Sequence, residues 1–153
     1  AYTNVSKAFG KVNVQAGLRM EHTQSEGNSI TLDQSVPREY TDWFPSISLS
    51  HKIGKKHDLS YSYSRRLNRP NYQDMNPFIE YLDDYTFQRG NSFLNPQYSD
   101  AIGVNYGFGG FLFVSGNYSF TKDAITEVIE QNSEIITTMN PNNLQLRTVY
   151  VIL

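Results

Sequence analysis

The sequence lacks several features that would assign it to a common protein class. It contains no cysteine, which excludes a disulfide framework and thiolate metal sites. It has no apolar run of about 18 residues or more, which excludes a transmembrane helix. Its net charge of −2 shows no basic excess, so nothing points to a nucleic-acid partner. Residues 1–4 lack the basic head and apolar core of a signal peptide, so an exported protein of this sequence would be a mature fragment or, as we expect, a piece of a longer chain.

Aromatic residues, in contrast, are abundant. They make up 14% of the 153 residues, and eleven of them are tyrosines. Aromatic girdles lie at both interfaces of transmembrane β-barrels. The low mean hydropathy of −0.51 agrees with a barrel, because its strands alternate apolar and polar residues. The composition is therefore compatible with a membrane protein that crosses the bilayer with strands.

Alternation of apolar and polar residues is the main structural signal. It is clearest from Val12 to Thr23, where one face carries Val12, Val14, Ala16, Leu18, Met20 and His22. This strand exceeds the usual length of about 5–6 residues and reaches the roughly 9–11 that cross a bilayer. Similar alternation predicts about seven strands, at residues 1–8, from 12, 43–53, 59–64, 102–108, 112–121 and from 144.

The connections between these strands alternate in length. Short turns fall at 9–11, 54–58 and 109–110, and long connections at 26–42, 68–97 and 122–142. Within the last of these, residues 125–130 and 135–139 are expected to extend the flanking strands. Outer-membrane barrels have short turns on one side and long loops on the other. The pattern predicts an all-β protein, an antiparallel up-and-down β-meander that forms a segment of a large transmembrane β-barrel wall.

The longest connection, residues 65–98, carries the most unusual composition. A loop of this length is commonly functional or disordered, and its many aromatic residues argue against disorder. We expect an ordered loop in which ten apolar side chains are buried: Tyr72, Met75, Phe78, Ile79, Tyr81, Leu82, Tyr85, Phe87, Phe93 and Leu94.

Several motifs in and around this loop resemble one known family. They are the segments 63–70 (YSRRLNRP), 76–78 (NPF), 85–90 (YTFQRG) and 94–99 (LNPQYS), together with 17–21 (GLRME) and 43–46 (WFPS). In this order they resemble the outer-membrane β-barrels of TonB-dependent receptors from Bacteroidota-type bacteria. The resemblance implies an outer-membrane location and a large, plugged barrel of about 22 strands. Residues 1–153 would then be a partial barrel that lacks the plug domain and the remaining strands.

The resemblance also implies a function and a set of partners. The intact protein would be a receptor and transporter, not an enzyme, and it would need no cofactor. Its partners would be outer-membrane lipid, the rest of the barrel and its plug, the TonB complex through the missing plug segment, and an unknown small-molecule, peptide or glycan ligand. The candidate residues for substrate or plug contact are Arg19, Glu21, Lys52, Arg66, Tyr72, Tyr85 and Arg89.

Other interpretations of the same residues stay open at this stage. The carboxylates Asp74, Glu80, Asp83 and Asp84 could bind a cation, although they lack the spacing of a calcium loop and Asp is common in turns. The arginines of the loop could pair with these carboxylates or recognise an anionic substrate. The three histidines have no metal-ligand spacing. The alternative function is a soluble or surface-exposed all-β glycan-binding module, with the aromatic residues as stacking platforms.

Overall fold

The computed structural model describes residues 1–29, 34–132, 135–139 and 144–152. The elements in chain order are β1 (Tyr2–Phe9), β2 (Val12–Ser29), β3 (Gln34–Ile53), β4 (His57–Asn68), α1 (Tyr72–Met75), β5 (Ile79–Tyr81), β6 (Thr86–Arg89), β7 (Gln97–Phe108), β8 (Leu112–Ala124), β9 (Val128–Asn132), β10 (Ile135–Met139) and β11 (Leu144–Ile152). Within these ranges, no helix is long and apolar enough to cross a membrane.

The principal sheet has seven strands in the order β1-β2-β3-β4-β7-β8-β11. The pairs β1–β2, β2–β3 and β3–β4 are all antiparallel. The strands are long, since β2 has 18 residues and β3 has 20. The predicted all-β, antiparallel up-and-down meander is confirmed.

The register of these strands separates two kinds of side chain. On one face, Ala16 lies opposite Ile47, which lies opposite Tyr63. On the other face, Gln15 lies opposite Ser48, which lies opposite Ser62. Because side chains alternate between the two faces of a strand, this register collects the apolar residues on one side and the polar residues on the other.

The predicted loop at residues 26–42 is wrong in its extent. Strands β2 and β3 stay paired to Ser29 and Gln34, and residues 30–33 lie outside the described residues. The hairpin carries polar cross-strand contacts, including a 3.0 Å bond between His22 Nδ1 and Thr41 Oγ1. The sequence of both strands is mainly polar here, so the alternation that identifies a half-buried strand is missing although the backbone pairing continues.

A second sheet of four strands, in the order β5-β6-β10-β9, corrects two further expectations. The long loop contains β5, β6 and helix α1, and β9 and β10 do not extend the flanking strands. Instead, β9 and β10 pair with each other, and β10 pairs in parallel with β6. The pairing of β6 with β10 joins segments about fifty residues apart in sequence, so local alternation could not indicate it.

The chain divides into two compact units. Among the described residues, unit 1 comprises 1–64 and 103–115, and unit 2 comprises 65–102 together with those in the range 116–152. In unit 1, Gly10 and Gly54 have φ values of 63° and 67°, the left-handed conformation that tight turns favour. Backbone bonds from Lys52 N to Lys11 O (3.0 Å) and from Gly109 N to Lys56 O (2.7 Å) lie beside these turns. The three predicted short turns therefore fall at one end of the sheet.

Unit 2 contains a compact, hydrogen-bonded segment around helix α1. Asn71 and Asp74 form a capping box, with Asp74 N donating to Asn71 Oδ1 at 2.7 Å. Residues 90–94 pack against the end of this helix, where Gly90 N donates to Asn76 O and Asn91 N to Asp74 O. Leu94, the last residue of this segment, is fully buried, with 0% of its surface exposed.

The expected burial of the ten loop side chains is wrong for seven of them, which are exposed: Tyr72, Phe78, Ile79, Tyr81, Leu82, Tyr85 and Phe93. Leu94 is buried, and Met75 and Phe87 are half-buried. The segment is ordered by caps, turns and strand pairing, which satisfy its backbone without a large apolar core. Its aromatic side chains therefore remain available to contact other molecules.

Gly90 provides a test of this packing. A Cβ atom on Gly90 would lie 2.6 Å from Gln73 O, 2.7 Å from Asn76 O and closer still to Asp74 O. These are backbone atoms that cannot rotate away, so we expect Gly90→Ala to destabilise the segment by about 1–3 kcal/mol. Limited proteolysis between residues 71 and 91 should become faster.

The matched control is Gly116→Ala in the same unit, because a Cβ atom there meets nothing within 4 Å. We expect this variant to be cleaved at the wild-type rate. Equal cleavage rates for the two variants would show that the helix and residues 90–94 are not packed as described.

Candidate ligand-facing surface

The polar face of unit 1 is lined by small side chains. Serines 46, 48 and 50 of β3 alternate on this face and lie opposite Gly17, Gln15 and Asn13 of β2. A Cβ atom on Gly17 would lie only 2.7 Å from Ser46 Oγ, so glycine allows that hydroxyl to lie flat across the strand. Farther along the face, Asn105 joins two serines, donating to Ser60 Oγ (3.2 Å) and accepting from Ser115 Oγ (2.7 Å). The result is a surface of short side chains that form hydrogen bonds.

Arg19 is the centre of a charged group on this same face. Its guanidinium lies 3.3 Å from Glu21 Oε1 and 4.7 Å above the ring of Phe44. Phe44 is only 4% exposed, so the ring supports the guanidinium from below while the charged edge stays accessible. An arginine held in this way presents fixed donors to a carboxylate, a phosphate or a flat polar group.

The structure brings together only two of the four predicted polar-face residues. Arg19 and Glu21 form an ion pair, whereas Lys52 lies near the turn end of β3, exposed and opposite Asp58 in the register. Arg66 is exposed on the part of β4 that belongs to unit 2. These four residues therefore form one small group and two separate charges.

The predicted loop residues all lie in unit 2 and are exposed. Tyr72 is on helix α1 with 76% of its surface exposed, and Tyr85 lies in the turn between β5 and β6. Arg89 ends β6 opposite Ile79 of β5. The three side chains thus sit on one hydrogen-bonded segment, on three different elements.

Two residues that the sequence did not indicate as candidates for ligand contact, Phe44 and Tyr81, belong with these groups. Phe44 alternates in the sequence with Ser46 and Ser48 on one strand face, and an isolated aromatic residue on such a face is the available signal for the stacking under Arg19. Tyr81 is 74% exposed and its ring centroid lies 6.1 Å from that of Phe87. Sequence could place Tyr81 in the loop, but only the strand pairing of β5 with β6 sets the two rings together.

Two of the four loop carboxylates bind backbone in the structure. Asp74 Oδ2 accepts from Asn71 N at 3.3 Å, and Asp83 Oδ1 accepts from Tyr85 N at 2.8 Å. In the described part of the chain, no three acidic or histidine side chains gather as a metal site would require. Asp74 and Asp83 therefore act as the turn and cap residues of the alternative interpretation.

Comparison with known proteins places this geometry in a family context. The model of the outer membrane protein β-barrel family matches residues 1–152. No curated protein matches the chain in sequence.

Among solved structures, similar folds occur in a double mutant of the hemophore receptor HasR of Serratia marcescens, in complex with its hemophore HasA and heme (16% identity, TM-score 0.76). Others are the copper transporter OprC (12%, 0.68) and a mutant of the ferric enterobactin receptor PfeA of Pseudomonas aeruginosa in complex with enterobactin (17%, 0.60). Each match covers 98% of this chain but only 30%, 25% and 23% of the respective neighbour. The chain thus spans less than a third of the length of these structures, which share its fold.

The turn at Asp83 gives a pH-dependent prediction. The bond from the Tyr85 amide, helped by Thr86, holds the pKa of the Asp83 carboxyl below its ordinary value. Because the folded-state pKa is depressed, the stabilisation is present above the unfolded-state pKa and is lost as the pH falls through the folded-state pKa. We expect the Tyr85 amide to exchange with solvent faster in acid, and Asp83→Asn to weaken this protection at neutral pH.

Amide exchange measured by NMR across an acid titration checks this expectation. Asp84→Asn is the matched control, since Asp84 is the exposed neighbouring acid and the bond to the Tyr85 amide is accepted by Asp83. Protection of Tyr85 that is independent of pH in the wild-type protein would contradict the assigned role of Asp83.

Proposed function

The chain belongs to the outer membrane protein β-barrel family of the bacterial outer membrane, and from that premise we propose that it forms part of the wall and outer loops of a TonB-dependent receptor that takes up a nutrient ligand. The remaining strands, the plug domain and the TonB complex are the proposed partners of the intact protein. The free edges of β1 and β11 are where further strands would pair, since a membrane barrel has no open edge.

The two-faced register of strands β2, β3 and β4 carries this proposal. Apolar pairs recur at every second position, as Val14 with Leu49, Ala16 with Ile47 and Met20 with Trp43. From Val12 to Met20 the apolar row runs roughly 26 Å along the strand, which at the usual barrel tilt of about 35–45° covers about 20 Å of a lipid-facing band about 25 Å tall. We assign this face to lipid and the serine-rich face to the interior.

The same face argues against a soluble glycan-binding module. Trp43, Ile47 and Tyr61 are large, exposed and contributed by neighbouring strands of one face. A soluble protein rarely leaves a contiguous apolar patch of this kind in water. Lipid contact accounts for the patch, whereas glycan stacking would need aromatic residues alone.

The orientation follows from the two ends of the strands. Barrels of this class have short turns toward the periplasm and long loops outside. We therefore assign the turns at Gly10, Gly54 and Gly109 to the periplasmic side, and helix α1 with the small sheet to the outside.

The candidate residues then divide between two tasks. Arg19, Glu21, Lys52 and Arg66 would face the plug or a passing ligand, and Arg19 is the best prepared because Phe44 holds its guanidinium in place. Tyr72, Tyr85 and Arg89 would meet the ligand outside. Flat tyrosine rings beside a cation suit a ligand that combines rings or sugar faces with negative charge.

The lipid assignment predicts opposite outcomes for adjacent residues. Arginine at Ala16 would lie near the middle of the bilayer and should reduce the free energy of unfolding by about 2–4 kcal/mol. Gln15→Arg, on the other face of the same strand, should have little effect. Unfolding of the intact barrel in lipid vesicles measures both, and a larger loss at Gln15 would reverse the face assignment.

The transport proposal is tested by accumulation of ligand in cells. Heme, ferric enterobactin, copper and an oligosaccharide are suitable first probes, and uptake of the accepted probe should stop when TonB is deleted. Tyr72→Ala with Tyr85→Ala should lower binding of that probe by about tenfold or more, as expected for exposed aromatic anchors. Lys55→Gln, in an exposed turn, is the control. Unchanged uptake without TonB would contradict the proposal.

A further inference from the structure

Six serines form a stripe along the polar face of strands β3 and β4. Three of them lie on each strand, and each faces a serine of the other strand in the register. The facing pairs are Ser46 with Ser64, Ser48 with Ser62, and Ser50 with Ser60. Four residues along a strand at about 3.3 Å each make this serine stripe about 13 Å long.

Uncharged hydrogen-bonding groups flank the serine stripe on both sides. On β2, the residues opposite Ser48 and Ser50 are Gln15 and Asn13. On the β7 side, Asn105 Nδ2 donates to Ser60 Oγ at 3.2 Å. The wall between β2 and β7 therefore offers donors and acceptors without charge over three successive rows.

Large or charged side chains border the serine stripe at its two ends. Toward the loop end of β3, the next residue on this face is Phe44, with Arg19 stacked on its ring. Toward the turn end, the next facing pair is Lys52 with Asp58. The serine stripe is therefore a stretch of small side chains between two rows of larger ones.

The composition of the serine stripe differs from that of a surface that packs against a folded protein. Protein interfaces are depleted in serine and enriched in aromatic residues, methionine and arginine. The side chains of Ser46, Ser48 and Ser62 are exposed within unit 1. Each hydroxyl can both donate and accept a hydrogen bond, so water and polar solutes can exchange along this surface.

We propose that the serine stripe lines the narrow part of the passage by which the ligand crosses the barrel, and that the small size of its side chains sets the clearance. The inference rests on the proposed transport function and assigns the passage to one part of the wall. Pore diameter and the hydrogen-bonding groups that line a pore determine which solutes pass. Permanent cover of the serine stripe by the plug is the competing arrangement.

The first test measures whether solutes reach the serine stripe during transport. The sequence contains no cysteine, so Ser48→Cys and Ser62→Cys each add one thiol of nearly the same size as the serine. Intact cells that produce the full receptor are treated with an impermeant sulfonated maleimide. Both variants should be labelled several times faster in cells with TonB than in cells without it.

The matched control is Ile47→Cys, which is adjacent to Ser48 but lies on the apolar face assigned to lipid. It should stay unlabelled in both kinds of cell. Labelling of Ser48→Cys as slow as that of Ile47→Cys would show permanent cover by the plug and overturn the proposal. Labelling that is fast but independent of TonB would also overturn it, because the serine stripe would then be wet without transport.

The second test changes the clearance. Ser48→Trp with Ser62→Trp places two large rings at the middle of the serine stripe and should slow uptake about tenfold or more, with binding at the cell surface unchanged. The probe is the compound among heme, ferric enterobactin, copper and an oligosaccharide that wild-type cells accumulate with TonB. Ile47→Trp, on the lipid face, and Ser48→Ala with Ser62→Ala, which keeps the side chains small, should both transport it at close to the wild-type rate.

The outcomes separate this proposal from the proposed function. Wild-type uptake that does not depend on TonB rejects the transport function. TonB-dependent wild-type uptake that the paired tryptophans leave unchanged rejects the serine stripe alone, and equal losses with alanine and tryptophan reject clearance as its role. If the tryptophan variant does not fold, as judged by heat-dependent migration, the labelling of the cysteine variants decides the question.

Discussion

The pairing of each strand with its neighbours in one register is the constraint on which the rest of the structure depends. In hydrocarbon a backbone amide or carbonyl has no water to bind, so the sheet itself must satisfy it. The same register sorts the side chains, because a slip of one residue would exchange the two faces. With the faces as proposed, such a slip would turn Arg19 toward lipid and Leu18 toward the interior. The opposed rows of β2, β3 and β4 therefore specify the fold and separate the two faces to which we assign lipid and interior.

The small polar face gives that register a functional meaning. Glycine and the short side chains of serine and asparagine leave room beside the wall, and the serines and asparagine offer hydrogen bonds without bulk. A charged pair interrupts this surface on β2, where the ring of Phe44 lies beneath Arg19 and Glu21 pairs with it. A half-exposed pair of this kind contributes little to stability, about 0–1 kcal/mol. The pair instead holds the Arg19 guanidinium in a fixed orientation on a surface of otherwise small polar side chains.

The loop segment of unit 2 is ordered mainly by backbone hydrogen bonds. Its backbone is satisfied by the cap at Asn71, the turn at Asp83, the small sheet and the close approach at Gly90, so the segment is ordered with few buried apolar side chains besides Leu94. Tyr72, Tyr81 and Tyr85 can therefore stay exposed on an ordered framework. Ordered aromatic side chains lose little entropy when they bind a ligand, which favours recognition by this segment.

Local patterns in the sequence by themselves determined the strand class, the two faces of the long strands, the glycine turns and the barrel family. Each of these depends on residues within a few positions of one another: alternation over Val12–Thr23, the positive φ at Gly10 and Gly54, and short motifs in a set order. Only the tertiary structure decided that β2 and β3 stay paired beyond Glu26, that β6 joins β10 in parallel, that Phe44 lies beneath Arg19, and that Tyr72 and Tyr85 remain exposed. These features depend on partners far apart in the chain. Their energies come from cross-strand pairing and packing, which no local pattern of residues records.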